Sequence, residues 1–283
     1  MLIRKKDVKK LSEDVRKIID GQEIDLRDNR EGPWSVLKND IHTLANLKNE
    51  QMNTLKQEHE FMQETLANIS HQLKTPLTSM MIMADLLESA PKDKQKDFLT
   101  NIKKELNHTQ WLVAALLKMA KLDAGAIEFT YEPNSARNLI LLALEPLQIL
   151  LDIKNQQVEI LDETILFCDK KWTAEALTNV IKNASEHSPN DSVIKIQIGS
   201  NPICKWISIS DEGPGISKTK VKQIFKRFEG ARSDKGHGIG LPLSLAIMKG
   251  QEGDIEVQSK EGHQGATFVL KFYNTKNEAY HNR

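Results

Sequence analysis

The sequence predicts an α+β, multidomain chain: a helical hairpin suited to pairing with a second copy, followed by a module that mixes helices and strands. Three observations carry that prediction. Apolar residues recur at seven-residue intervals between positions 41 and 87, and a second helical stripe runs over 98–120. Beyond residue 125, helical patterns alternate with short apolar strands.

The first 33 residues are polar, with turn chemistry at Asp28-Asn29-Arg30-Glu31-Gly32-Pro33, which reads as a short helix followed by a break. From Trp34 the pattern is helical, with Ile41, Leu55, Met62 and Ile69 on the repeat and a lapse at Lys48. Residues 1–60 are therefore expected to form a juxtamembrane or coiled-coil helix that leads into the hairpin. The stripe sharpens at Leu66, Leu73, Met80 and Leu87, reinforced by Ile69 and Met83, and this helix should end near Ala90-Pro91. A second helix is expected over about 93–122, where Phe98, Ile102, Leu106, Val113, Leu116, Leu117 and Ala120 fall three or four apart. Two helices with one apolar stripe each cannot enclose a core. Two copies of the hairpin form a four-helix bundle, so a homodimer is expected through residues 61–125.

Asp123-Ala124-Gly125-Ala126 closes the second helix, and a domain boundary falls near 125–133. The module beyond it, 133–275, is expected to hold strands at 158–160, 165–168, 194–198, 203–209, 255–258 and 267–272, with helices at 137–151, 170–187, 218–228 and 241–249.

Composition narrows the function. A chain of 283 residues with 39% apolar content is long enough for about two domains with real cores. Lys+Arg and Asp+Glu both total 39, so the basic excess that neutralises a phosphate backbone is missing and nucleic acid is not the expected partner. Cys168 and Cys204 lie far apart with no Cys or His at ligand spacing, which argues against a disulfide framework and a zinc site and fits a reducing, cytoplasmic setting. No window approaches the ~18 consecutive apolar residues of a membrane span. The basic start, with Arg4, Lys5, Lys6, Lys9 and Lys10, fits a soluble chain and equally a juxtamembrane segment on the cytoplasmic side of a membrane anchor outside this chain.

His71 lies five residues past Leu66, which places it ~140° around the helix from the buried stripe and in solvent. Alone it would be an ordinary surface histidine. Thr75 follows one turn later on the same face, and Pro76 removes a backbone donor and is expected to kink the helix.

Further on, Asn179 and Asn183 stack one turn apart on a predicted helix, with Glu186 and His187 beyond them. Asp211-Glu212-Gly213-Pro214-Gly215 follows an apolar strand, and Gly236-His237-Gly238-Ile239-Gly240-Leu241 opens a further helix. Glycine permits close backbone approach, and a helix N-terminus offers free N–H groups to a phosphate chain. Taken singly, the amides read as a polar surface and the glycines as ordinary turns.

Together these segments carry a resemblance. Ser70-His71-Gln72-Leu73-Lys74-Thr75-Pro76-Leu77 resembles the phosphoacceptor box of sensor histidine kinases, while the segments around Asn179–His187, Asp211–Gly215, Gly236–Leu241 and Gly265–Phe268 resemble the N, G1, G2 and G3 boxes of the GHKL ATP-binding fold. Lys222–Phe228 resembles the F box. The resemblance covers about residues 60–273. It implies an α/β sandwich for the second domain, ATP with Mg²⁺ as cofactors, His71 as nucleophile, and a response-regulator receiver domain as the partner that accepts the phosphoryl group on an Asp. It further implies that Thr75 positions water for dephosphorylating that partner and that Asp211 receives the adenine amino group. Asn183 would give its amide oxygen to Mg²⁺. Asn179, His187, Gly213, Gly215, Lys235, Gly236, Gly238, Gly240, Leu241 and Thr267 complete the implied nucleotide site.

Three positions depart from, or decide within, the family pattern. Gln72 replaces the usual carboxylate, and a Gln can orient the imidazole but cannot take its proton, so slower autophosphorylation is expected. Glu186 stands where many members carry a phosphate-contacting Lys, which leaves Lys182, Arg232 and Lys235 as candidates to neutralise the phosphates. Asn179 occupies the position at which hydrolytic GHKL enzymes place a water-activating Glu, and an amide cannot act as that base. A weak signalling scaffold that acts mainly as a phosphatase through Thr75 is the rival reading.

Overall fold

The computed structural model describes residues 5–20, 22, 24–27, 32–229, 238–259 and 265–273. It divides into two compact units, Met1–Gln72 and Leu73–Arg283. The first holds α1 (Lys5–Ile19) and most of α2 (Pro33–Ser89). The helix α2 continues through Pro76 without a break, although Pro76 offers no N–H to the carbonyl four residues back. The expected end near Ala90-Pro91 is where it stops.

The second unit begins with the last turns of α2 and with α3 (Lys92–Asp123). Its C-terminus is a Schellman motif: Gly125 adopts φ 61°, Gly125 N–H donates to Leu122 O at 3.0 Å and Ala126 N–H to Lys121 O at 3.0 Å. Gly125 thus stops the helix at the position the sequence indicated. Leu112, Ala115 and Met119 are buried on one face of α3, while Leu99, Leu106, Val113 and Leu117 stay exposed.

The α/β part is a two-layer sandwich. One layer contains α4 (Ala136–Leu144), a 3₁₀ turn at Glu145–Leu147, α5 (Gln148–Ile153), α6 (Lys170–His187), the short α7 (Lys218–Val221) and α8 (Gly240–Gly250). The other layer is a five-stranded sheet in the order β2-β4-β5-β7-β6, with β2 (Gln157–Leu161), β4 (Val193–Ser200), β5 (Cys204–Ser210), β6 (Gly253–Ser259) and β7 (Ala266–Tyr273). The β2–β4 pair is parallel and the others are antiparallel. Period-two alternation on β4 buries Ile194, Ile196 and Ile198 and leaves Lys195 and Gln197 in solvent. Those isoleucines, with Ile207, Ile209, Phe268 and Leu270, form the sheet's share of the core, and α6 contributes Ala176, Leu177, Val180, Ile181 and Ala184. Asp169 caps α6 by accepting Trp172 N–H at 3.0 Å, and Pro189 follows its C-cap Ser188.

Two expectations need correction. A further strand, β1 (Glu132–Ser135), pairs antiparallel with β3 (Ile165–Cys168) in a small separate sheet. Its polar, proline-bearing sequence gave no strand signal; Pro133 is tolerated because the sheet has two strands and each is an edge. The helix expected over 218–228 is only the one-turn α7. Turns follow it, and Phe228 takes φ 67°, which a helix cannot accommodate.

Candidate active site

Position 211 shows how the fold builds a ligand-receiving carboxylate. Asp211 directly follows β5 and is 9% exposed, and its Oδ1 accepts Gly213 N–H at 2.8 Å and Ala266 N–H at 3.1 Å. One oxygen is therefore committed to the backbone, and the other is left to receive a ligand N–H. Burial pushes this carboxyl above its ordinary range, against the pull of the two backbone N–H groups and of nearby His187.

Two glycines make the loop possible. A Cβ on Gly265, which has φ +94°, would sit 2.0 Å from Asp211 O, and one on Gly213 would sit 2.9 Å from both Asp211 Oδ1 and His187 O. Backbone from the G1 segment, the G3 segment and the end of α6 thus meets at distances no side chain tolerates. Gly265 N–H donates to Gly213 O at 2.6 Å across this junction. Thr267, on β7, shares a 2.8 Å hydrogen bond with the Ser210 hydroxyl beneath the same loop. Gly215 follows at φ 76°.

On α6, Asn179, Asn183 and His187 are one turn apart, respectively buried, half-buried and exposed. Asn179 is 8% exposed, and its Nδ2 has no hydrogen-bond partner among the described residues. An unpartnered buried donor costs roughly 1–3 kcal/mol, and a bound acceptor such as a phosphate oxygen would relieve it. Asn179 lies beside Gly240, the first residue of α8, where a Cβ would stand 3.7 Å from its Oδ1. Gly238 precedes that helix at φ 65° and accepts Phe228 N–H at 2.8 Å, while Leu241 is half-buried in the first turn. Lys235, Gly236 and Arg232 lie outside the described residues.

Of the candidate phosphate-neutralising cations, Lys182 alone is described, and its ammonium is already engaged. It lies 3.7 Å from Glu186 Oε1 and 5.4 Å from the centroid of the Trp111 ring on α3. Burial raises the Glu186 carboxyl above its usual range, offset by Lys182, His187 and Lys154. Lys118 likewise meets Glu175 at 2.7 Å, and Arg227 meets Asp123 at 2.7 Å. A cavity of about 920 Å³ between α3 and α6 is lined by Trp111, Leu147, Asn179 and Lys182 among others, but not by Asn183 or Asp211. Asn179 therefore borders both this cavity and the first turn of α8.

The phosphoacceptor segment lies on α2. His71 and Thr75 are exposed and Gln72 is half-buried, as the position of His71 away from the stripe predicted. Sequence reasoning missed Ser188, whose hydroxyl accepts Glu212 N–H at 3.2 Å and joins the end of α6 to the Asp211 loop. Its contact links segments 24 residues apart, and no periodicity reports such a pair.

Residues 61–125 match the His Kinase A (phospho-acceptor) domain, and residues 168–276 match the histidine kinase-, DNA gyrase B- and HSP90-like ATPase domain. The chain belongs to the sensor histidine kinases. This histidine kinase is 28% identical over 223 residues to sporulation kinase C of Bacillus subtilis, across 78% of the chain and 51% of that protein. It is 31% identical over 223 residues to a sensor protein kinase WalK of Staphylococcus aureus, across 73% of the chain and 52% of that protein. The chain spans about half the length of these relatives. A solved histidine kinase, ThkA in complex with the response regulator protein TrrA, shares its fold with a TM-score of 0.65 at 19% identity, covering 82% of this chain and 67% of that one. The ATPase domain match makes this kinase an ATP-binding protein. No described helix is long and apolar enough to cross a membrane.

Proposed function

We propose that this chain transfers the γ-phosphoryl group of ATP to His71 and then to an Asp of a response-regulator receiver domain. The observation that carries the reading is Asp211: a buried carboxylate with one oxygen held by two backbone N–H groups and the other left for the amino group of adenine. The unpartnered amide of Asn179 supports a phosphate beyond it. Asn183 would supply an oxygen to Mg²⁺, a hard cation that needs only one or two protein oxygens and completes its shell with phosphate and water. The bound ion would supply charge neutralisation at the phosphates.

The lone pair of an imidazole nitrogen of His71 forms the N–P bond as the P–O bond to ADP breaks. The proton on the other nitrogen then leaves to solvent, because Gln72 cannot take it. Asn179 offers no base to water, which keeps hydrolysis slow. Residues 61–125 act as dimerisation and phosphoacceptor domain, 133–275 as catalytic domain, and 1–60 as the signalling helix from a sensor segment at the membrane's cytoplasmic face. The exposed Leu66, Leu77, Met81 and Leu86 support pairing with a second copy. Thr75 serves the reverse reaction on the phosphorylated regulator.

Incubation with radiolabelled ATP and Mg²⁺ tests this, with His71→Ala as the comparison. Acid-labile label on the parent and none on the variant is expected. Phosphate release without label would instead indicate an ATPase. Neither signal, with faster loss of phosphate from an added receiver, would indicate the scaffold.

A further inference from the structure

Behind the nucleotide site lies a buried polar cluster with no part in the chemistry above. Lys154, just past α5, directs its ammonium at the last turn of α6 and donates to Ser185 O at 2.5 Å, Glu186 O at 3.2 Å and Ser188 O at 3.1 Å. An ammonium has three N–H donors, and all three are used on carbonyls that the helix itself cannot satisfy. Its charge also lies at the negative end of the α6 dipole.

Gln156, 8% exposed, completes the clamp. Its Nε2, with two N–H donors, lies within hydrogen-bonding reach of Ser185 O at 3.2 Å, Pro189 O at 2.9 Å and Ser192 Oγ at 3.1 Å, and its Oε1 accepts the Ser185 hydroxyl at 2.6 Å. On the far side of the same turn, Ser188 Oγ accepts Glu212 N–H, and the missing Cβ of Gly213 leaves room for His187 O. The C-terminal turn of α6 is therefore held from one side by Lys154 and Gln156, and it rests on the Asp211 loop on the other.

We infer that Lys154 is a positioning residue for the nucleotide site: by fixing the end of α6 it sets the separation between the Asp211 carboxylate and the Asn183 amide, and so matches the site to the length of Mg·ATP. The inference rests on the proposed reading of that site. A ligand that touches both ends depends on the clamp, and one that touches only Asp211 does not. Arginine, with donors enough for the same carbonyls, retains part of the function.

The test uses the full chain and its Lys154→Met and Lys154→Arg variants, with binding of Mg·ATP and of adenosine measured by competition against a fluorescent nucleotide. Lys154→Met is expected to weaken Mg·ATP about tenfold and adenosine less than about threefold, with KM for ATP rising about tenfold and kcat within about twofold. Lys154→Arg should recover about half of the loss on a logarithmic scale. Equal weakening of both ligands, or a lowered melting temperature with unchanged nucleotide affinity, would assign Lys154 a merely structural role and overturn the inference. If Lys154→Met does not fold, Ser188→Ala carries the test. That variant removes the link to Glu212 N–H, and it should show the same preferential loss of Mg·ATP; an equal fold-loss for both ligands, or no loss for either, overturns the inference. A parent chain that binds no nucleotide sinks the proposed function itself, a result separable from these.

Discussion

The α/β sandwich and the long helices solve different problems. In the sandwich, Phe268, Ile181, Ile194 and Ile207 are fully buried, and its helix end and loop polar groups are bonded to one another. On α2 and α3, large apolar side chains including Leu77, Ile82, Leu86, Leu106 and Leu117 stay between 48% and 60% exposed. The sandwich is a finished core, whereas the helices present half of one. Burying apolar area at ~25 cal/mol per Å² is the free energy the helices have yet to gain, and a second hairpin is its natural source.

Substitution can break this contrast. The largest effect is expected from Phe268→Ala, which should destabilise the fold by about 3–5 kcal/mol in urea denaturation, because the sandwich cannot collapse around the cavity. Asp211→Asn keeps the backbone bonds but loses the charge, so nucleotide affinity should fall roughly 10–100-fold by calorimetry. The same change should raise the melting temperature of the nucleotide-free protein. Its carboxyl is pushed up by burial, so its contribution to stability is present below the ordinary Asp range and lost as pH rises through the raised folded value. Neutral pH is thus where the substitution helps the fold most. In the parent, nucleotide affinity should decline on acidification from above the usual carboxylate range, and Asp211→Asn should flatten that decline; protonation of Glu186, whose carboxyl is also raised by burial, acts in the opposite direction by releasing Lys182.

Gln72→Glu should speed labelling of His71 by about tenfold in single-turnover assays, since it restores a proton acceptor. Labelling no faster than the parent would remove that explanation. The smallest effect is expected from Leu86→Ala: below about 1 kcal/mol in dilute solution, where the side chain is half exposed. A loss that grows with protein concentration would sharpen the comparison by showing Leu86 buried between copies.

The same division governs what could be read in advance. Helix α6 was legible to the residue, because Asp169 caps its start, Pro189 follows its end and its apolar period is strong. The end of α3 was legible through Gly125. Strand β1 was not, because its four residues carry no alternation and are held by Asn134 Nδ2 bonding Cys168 O. The turns after α7 misled because Ile224, Phe225 and Phe228 mimic a helical stripe, while Phe228 takes a left-handed conformation and Arg227 is tied to Asp123. At the candidate site, Asp211, Gly213 and Gly265 were legible as motifs, and the fold brings them together. The clamp of Lys154 and Gln156 was not, since long-range hydrogen bonds leave no period in a sequence.

The carboxamide at position 179 carries a consequence for signalling economy. An amide cannot act as a base, so on the proposed reading a nucleotide bound beside it would not be spent on water. On the proposed reading, transfer would wait on the arrival of the imidazole, and holding nucleotide in readiness would consume almost none of it.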